Sequence, residues 1–244
     1  MLITLRAKQR LLFICVAMLC SQLVLAAELL RFEGRALDPE TQGLLYIENH
    51  QVLLDESGNY LSSYVTYSDP YGKVFAEKTL DFSNSQLAPD LKFHDKRHDE
   101  RITVSVKTGD AEKPYIRILM EQDGKRDESQ VSIKASDVVI DAGFDRLLAN
   151  QWQQLRQQKE LDFSFLAITR SELIKFEAIE EEVQLGRVVI ELHPRNFFID
   201  LLVKPISLEY DPDTQRLLRF TGLTNIEQYK DGKRTYDNYI ADIY

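Results

Sequence analysis

From Glu28 onward apolar and polar residues alternate with period two, and turn-forming residues interrupt the alternation at short intervals. This predicts strands over 30–36, 44–54, 60–68 and 74–82, separated by Asp38-Pro39, Asp55-Glu56-Ser57-Gly58 and Asp69-Pro70-Tyr71-Gly72. The last of these turns makes 60–68 and 74–82 a β-hairpin. Residues 83–100 carry Pro89 and a burst of charge, and no regular element is predicted there. A second hairpin joins 101–107 to 115–122 across Thr108-Gly109-Asp110, and Asp123-Gly124 is a two-residue turn into a strand at 129–133. Later strands are predicted over 162–168, 173–179, 184–192, 197–203, 206–210 and 216–222, with a final one over 234–244 after Asp231-Gly232.

The period changes once. Over 143–157 the apolar residues Phe144, Leu147, Leu148, Trp152 and Leu155 fall on one face of a helix, with Gln151, Gln153, Gln154 and Arg156 opposite. Asp141 is its expected N-cap. The fold class that follows is mainly β: a strongly curved antiparallel sheet or half-open β-barrel with one amphipathic α-helix packed against it.

The N-terminus changes the picture most. Arg6, Lys8 and Arg10 precede an apolar run from Leu11 to Leu19, and Val24-Leu25-Ala26 has the small-residue pattern of a signal-peptidase site. Residues 1–26 therefore read as a secretory signal peptide, and 27–244 as a single exported β-rich domain in the periplasm. The run is too short for a membrane span, which needs roughly 20 apolar residues. Leu19 before Cys20 also disfavours a lipoprotein. Both cysteines, Cys15 and Cys20, leave with the leader, so the core has to supply stability without disulfides. Cleavage removes three basic residues and takes the formal charge from −9 to about −12. Such a surface repels phosphates, which argues against nucleic-acid partners, and no later stretch is apolar enough to be a transmembrane helix.

Candidate chemistry is sparse. Phosphate-binding glycine loops and a G-x-S-x-G elbow are absent, so no cofactor is expected. Alternate positions Tyr46, Val52 and Leu54 are apolar, yet Glu48 and His50 share their face. Lys78 likewise interrupts the face of Val74, Ala76, Leu80 and Phe82. Either Glu48 and Lys78 line a concavity, or those faces are solvated and Leu45, Ile47 and Phe75 turn inward. His94 and His98, four apart in a charged run, are weak metal-ligand candidates that more simply belong to a solvated turn. Tyr236, Tyr239 and Tyr244 in the last strand raise an outer-membrane barrel, but charges on both strand faces and the central helix oppose it.

Several segments are similar to one family: Phe32-Glu33-Gly34, Leu45 to His50, Tyr67 to Pro70, Ala76 to Asp81, Leu87 to Asp90, Val139 to Asp145 and Arg216 to Ile226. On these the chain resembles an uncharacterised family of secreted proteins of Gram-negative bacteria, which implies a periplasmic location and no transferable catalytic residue. A fainter fold-level likeness is to the half-barrels of periplasmic lipoprotein carriers. The expected function is binding of a lipid or other apolar or amphipathic ligand, or of an envelope protein, without chemistry. The expected lining is Tyr46, Glu48, Lys78, Phe144, Leu148 and Trp152. The competing expectations are an envelope hydrolase using carboxylates or histidines, and a purely structural envelope protein.

Overall fold

Alternation with period two builds strands that hide one face, and short polar turns let consecutive strands pair antiparallel. The computed structural model describes residues 27–108, 113–133, 138–181, 186–195, 205–224, 226–230 and 233–244. The expected signal peptide and the strand expected at 197–203 lie outside the described residues. The first eight strands are β1 (Glu28–Leu37), β2 (Leu44–Leu54), β3 (Tyr60–Ser68), β4 (Val74–Asp81), β5 (Asp90–Asp95), β6 (Glu100–Lys107), β7 (Tyr115–Gln122) and β8 (Lys125–Ser132). A short β9 (Val138–Val139) leads to helices α1 (Gly143–Asn150) and α2 (Trp152–Gln158). Then follow β10 (Glu160–Ala167), β11 (Glu172–Glu180), β12 (Val188–Pro194), β13 (Ile206–Tyr210) and β14 (Leu217–Leu223). The chain ends with the small hairpin β15 (Gln228–Lys230) and β16 (Lys233–Thr235), and with β17 (Asn238–Ile243).

Fifteen of these strands form one continuous curved sheet. β1 to β8 make a meander in which each strand pairs with the next. β10 to β14 make a second meander. The two are joined in the middle, because β17 inserts between β14 and β1, with Gly34 opposite Ile243 and Ala36 opposite Ala241. The strand pairs are antiparallel except β9 with β10. Curvature brings the outer ends of the sheet together, where Ser129 Oγ of β8 lies 2.6 Å from Ser171 Oγ ahead of β11. The expected curved, barrel-like sheet is what forms.

Inward-facing residues make two apolar cores. One gathers Tyr46, Val65, Tyr67, Leu80, Leu91, Val104, Ile116 and Ile118 from the first meander with Leu166 and Ile226 from elsewhere. The other packs Leu147, Leu148, Trp152 and Leu155 of the helices on Phe163, Ala178, Ile190, Leu208 and Tyr210. The segment joining β9 to α1 threads between the meanders. Ile140 N–H donates to Leu87 O at 2.9 Å, and Gly143 passes so close that a Cβ there would lie 1.9 Å from the same carbonyl oxygen.

Four expectations need correction. The single helix over 143–157 is two helices meeting at Gln151, whose φ of −110° and ψ of 17° kink the rod while the bonds to Leu147 and from Leu155 persist. Bending there seats Trp152 edge-on against Tyr210, with centroids 5.5 Å apart. Asp141 is not a cap: Ala142 precedes the first turn, and no side chain caps it. The irregular stretch 83–100 contains β5, whose alternation Leu91, Phe93, Asp95 is hidden by its own inward-facing carboxylate. The strand expected over 234–244 is likewise divided between β16 and β17, because Asp237 O turns back to accept from Thr224 N–H.

Candidate functional site

Sheet register decides which way the charged residues of β2 and β4 point. Across the inner face one row runs Gly34, Glu48, Tyr67, Ala76, Asp95, Glu100, and the next runs Phe32, His50, Val65, Lys78, Phe93, Ile102. Both Glu48 and Lys78 are buried, so these faces of β2 and β4 turn toward the core rather than to solvent. Phe75 is buried as well, because the register shift at Tyr67/Ser68 brings two successive residues of β4 under cover.

Asp141, displaced from its expected capping role, is the partner of Lys78. The ammonium donates to Oδ1 at 2.8 Å and Oδ2 at 3.0 Å. To reach it, Asp141 adopts a φ of +46°, a conformation that Asp tolerates better than most residues. Its Oδ1 also accepts from the N–H of Ala142. Beside this pair, His50 Nε2 lies 2.9 Å from Glu48 Oε2, and the imidazole stacks on Phe32 with centroids 4.4 Å apart and planes 11° apart. The side chains of Lys78, Asp141, Glu48 and His50 keep 10 %, 12 %, 11 % and 19 % exposure, so water still reaches the group.

Tyrosines complete the cluster. Tyr46 OH lies 3.0 Å from Thr224 Oγ1, and its ring centroid is 6.1 Å from that of Tyr67 and 5.9 Å from that of Tyr239. Burial pushes the Tyr46 hydroxyl well up, and the Glu48 charge adds to this. Burial also raises Tyr67, with Lys78 opposing and Glu48 and Asp141 assisting. Burial works against the Lys78 ammonium, but Asp141, Tyr67 and Glu48 together outweigh it and the net shift is upward. Lys78 is thus a held cation rather than a nucleophile, and the tyrosines are neutral donors rather than bases.

The structure brings Tyr46, Glu48 and Lys78 together and puts Phe144, Leu148 and Trp152 elsewhere, in the core beneath the helices. Beside Trp152 an open depression of about 290 Å³ is lined by Asn150, Gln151, Gln153, Gln154 and Gln215, a polar hollow rather than an apolar cavity. His94 sits on β5 among Glu77, Asp99 and Arg101, and His98 lies in the following turn, so the two share no helical face. Among the described residues no three metal-ligating side chains converge.

One half-buried group has no counterpart in the sequence reading. Asp145 of α1 accepts from Tyr60 OH at 2.9 Å and Tyr210 OH at 3.3 Å, tying β3 of one meander to β13 of the other. Burial raises its carboxyl despite the opposing effect of Tyr60, Arg146 and Tyr210. Arg146 covers the Tyr60 ring at 4.7 Å. A signal was present: Asp145 stands three residues before Leu148 and seven before Trp152, on the edge of the buried stripe.

Among solved structures the chain is similar to a β-barrel-like protein of a domain of unknown function, DUF1849, from Brucella abortus. Identity is 9 %, the alignment covers 90 % of this chain and 98 % of that one, and the TM-score is 0.38. No protein-family model matches the chain. No curated protein matches it.

Proposed function

We propose that this is an exported binding protein of the bacterial envelope, with no chemistry of its own. It holds an amphipathic ligand against the inner face of the sheet, with the polar end at Glu48, His50 and the Lys78–Asp141 pair. One observation carries this reading. Four ionisable side chains from β2, β4 and the β9–α1 segment meet inside an otherwise apolar wall and keep contact with water. Buried charges cost several kcal/mol each even when paired, and that cost has a function if the group receives a ligand. The cationic, apolar, small-residue leader supports export.

The test is native mass spectrometry of protein purified from the periplasm, with organic extraction of what co-purifies. A bound small molecule that is lost in Glu48→Gln and Lys78→Met supports the reading. A ligand-free protein, or retention unchanged in both variants, overturns it in favour of a structural role.

A further inference from the structure

The open depression at the kink between the helices differs from the rest of the surface in what lines it. Asn150 ends α1, Gln151 is the kink, Gln153 and Gln154 open α2, and Gln215 joins them from the β13–β14 turn, so five primary amides surround Trp152. Among the described residues that line it there is no Asp, Glu, Lys or Arg, although these make up 28 % of the chain. Helix propensity does not account for the choice, because Lys, Glu and Arg suit an exposed helical turn as well as Gln does. Five of the chain's 15 glutamines fall within 151–158, so the enrichment belongs to this rod and not to the chain at large.

Most of these amides have no work inside the protein. Gln154 Nε2 donates to Gln158 Oε1 at 3.0 Å. Among the described residues the side chains of Asn150, Gln151, Gln153 and Gln215 make no hydrogen bond. Gln215 is also strained, with a left-handed φ of +56° that glycine or asparagine would adopt more easily. The turn imposes this conformation. Gln215 N–H donates to Asp211 O at 2.9 Å, while the Asp211 carboxylate accepts from Thr214 N–H at 2.7 Å and Asp213 N–H at 3.0 Å. Its amide is therefore presented from a turn already fixed by its own hydrogen bonds.

We propose that this depression is a carbohydrate subsite that takes a short stretch of a neutral oligosaccharide. A primary amide offers donors and an acceptor together, and a sugar hydroxyl uses both. Burying an unpaired charge is costly, so a rim of amides meets an uncharged polar ligand at less expense than a rim of ions would. Trp152, the only tryptophan of the chain, adds apolar surface for sugar C–H groups, and its indole is braced edge-on by Tyr210. The volume of about 290 Å³ is at the lower limit for small-molecule pockets, which suits part of a longer chain lying across an open surface. The formal charge of −9 repels anionic polysaccharides and leaves neutral ones unaffected. Trp152 belongs to the second core, whereas Tyr46 beside Glu48 belongs to the first, so this inference does not rest on the proposed inner-face site.

The single tryptophan makes the test direct. Fluorescence of Trp152 in the mature protein is titrated with maltohexaose, cellohexaose, laminarihexaose and N-acetylchitohexaose, and with oligogalacturonate as the anionic control. A saturable change with at least one neutral hexamer is expected, and none with the anionic one. Gln153 and Gln215 are exposed, so Gln153→Ala and Gln215→Gly leave the core intact. Each is expected to weaken that binding about tenfold, the loss of one net hydrogen bond, without lowering the melting temperature. Titrations that are flat with all four neutral hexamers, unmoved by both substitutions, or equally responsive to oligogalacturonate overturn the proposal.

Discussion

Replacing Lys78 with methionine isolates the electrostatics of the inner cluster. Methionine preserves most of the stem volume packed between Val65 and Phe93, so little apolar contact is lost. What changes is that Asp141, 12 % exposed and bonded through both oxygens, loses its cation while Glu48 remains on the same side. Removing one partner of a buried ion pair costs about 3–5 kcal/mol, because the other charge stays buried without compensation. For a domain of this size that corresponds to a fall in melting temperature of about 10 °C. The cost is expected to shrink as pH falls, since the orphaned Asp141 can then take up a proton. Lys78→Met/Asp141→Asn leaves no uncompensated charge and is expected to be more stable than Lys78→Met alone by about 2 kcal/mol. Equilibrium urea unfolding at pH 7 and pH 5, with constant m-values, measures all three quantities. A loss under 1 kcal/mol at pH 7, or a double variant no better than the single one, refutes the view that the pair is an interior charge couple.

Other expectations follow from different contacts. Gly143→Ala puts a methyl into the Leu87 carbonyl, where backbone must move, and is expected to cost about 3 kcal/mol or more in thermal unfolding; an unchanged melting temperature would contradict the packing of the crossover segment. Asp145 has a raised carboxyl, so its contribution is complete below the ordinary carboxylate range and is lost as pH rises through its folded value. Asp145→Asn should therefore flatten the decline of stability with rising pH above that range, and a pH–stability curve identical to the parent's would count against it. N-terminal sequencing of protein recovered from the periplasm is expected to begin at Ala27; a start at Met1 removes the basis for export.

Local pattern decided a great deal. Strands such as β2, β3, β4, β6 and β7 lie where period-two alternation and Asp-Pro, Asp-Gly and Ser-Gly turns place them, because hairpin pairing is set by neighbours in the chain. The helical stripe through Leu148 and Trp152 was equally plain, and so was the class of a curved antiparallel sheet.

What alternation leaves open is which face turns inward, since shifting a strand's facing by one residue exchanges the two sets of side chains. For Glu48 and Lys78 that choice required the partner strands. Only the folded chain could pair Lys78 with Asp141, 63 residues away, or bring Tyr60 and Tyr210 to one carboxylate. Insertion of β17 beside β1, which closes the two meanders into one wall, is likewise a contact between the ends of the described chain that no local signal carries. Long-range electrostatic and packing choices belong to the whole fold because each depends on groups that sequence distance keeps apart.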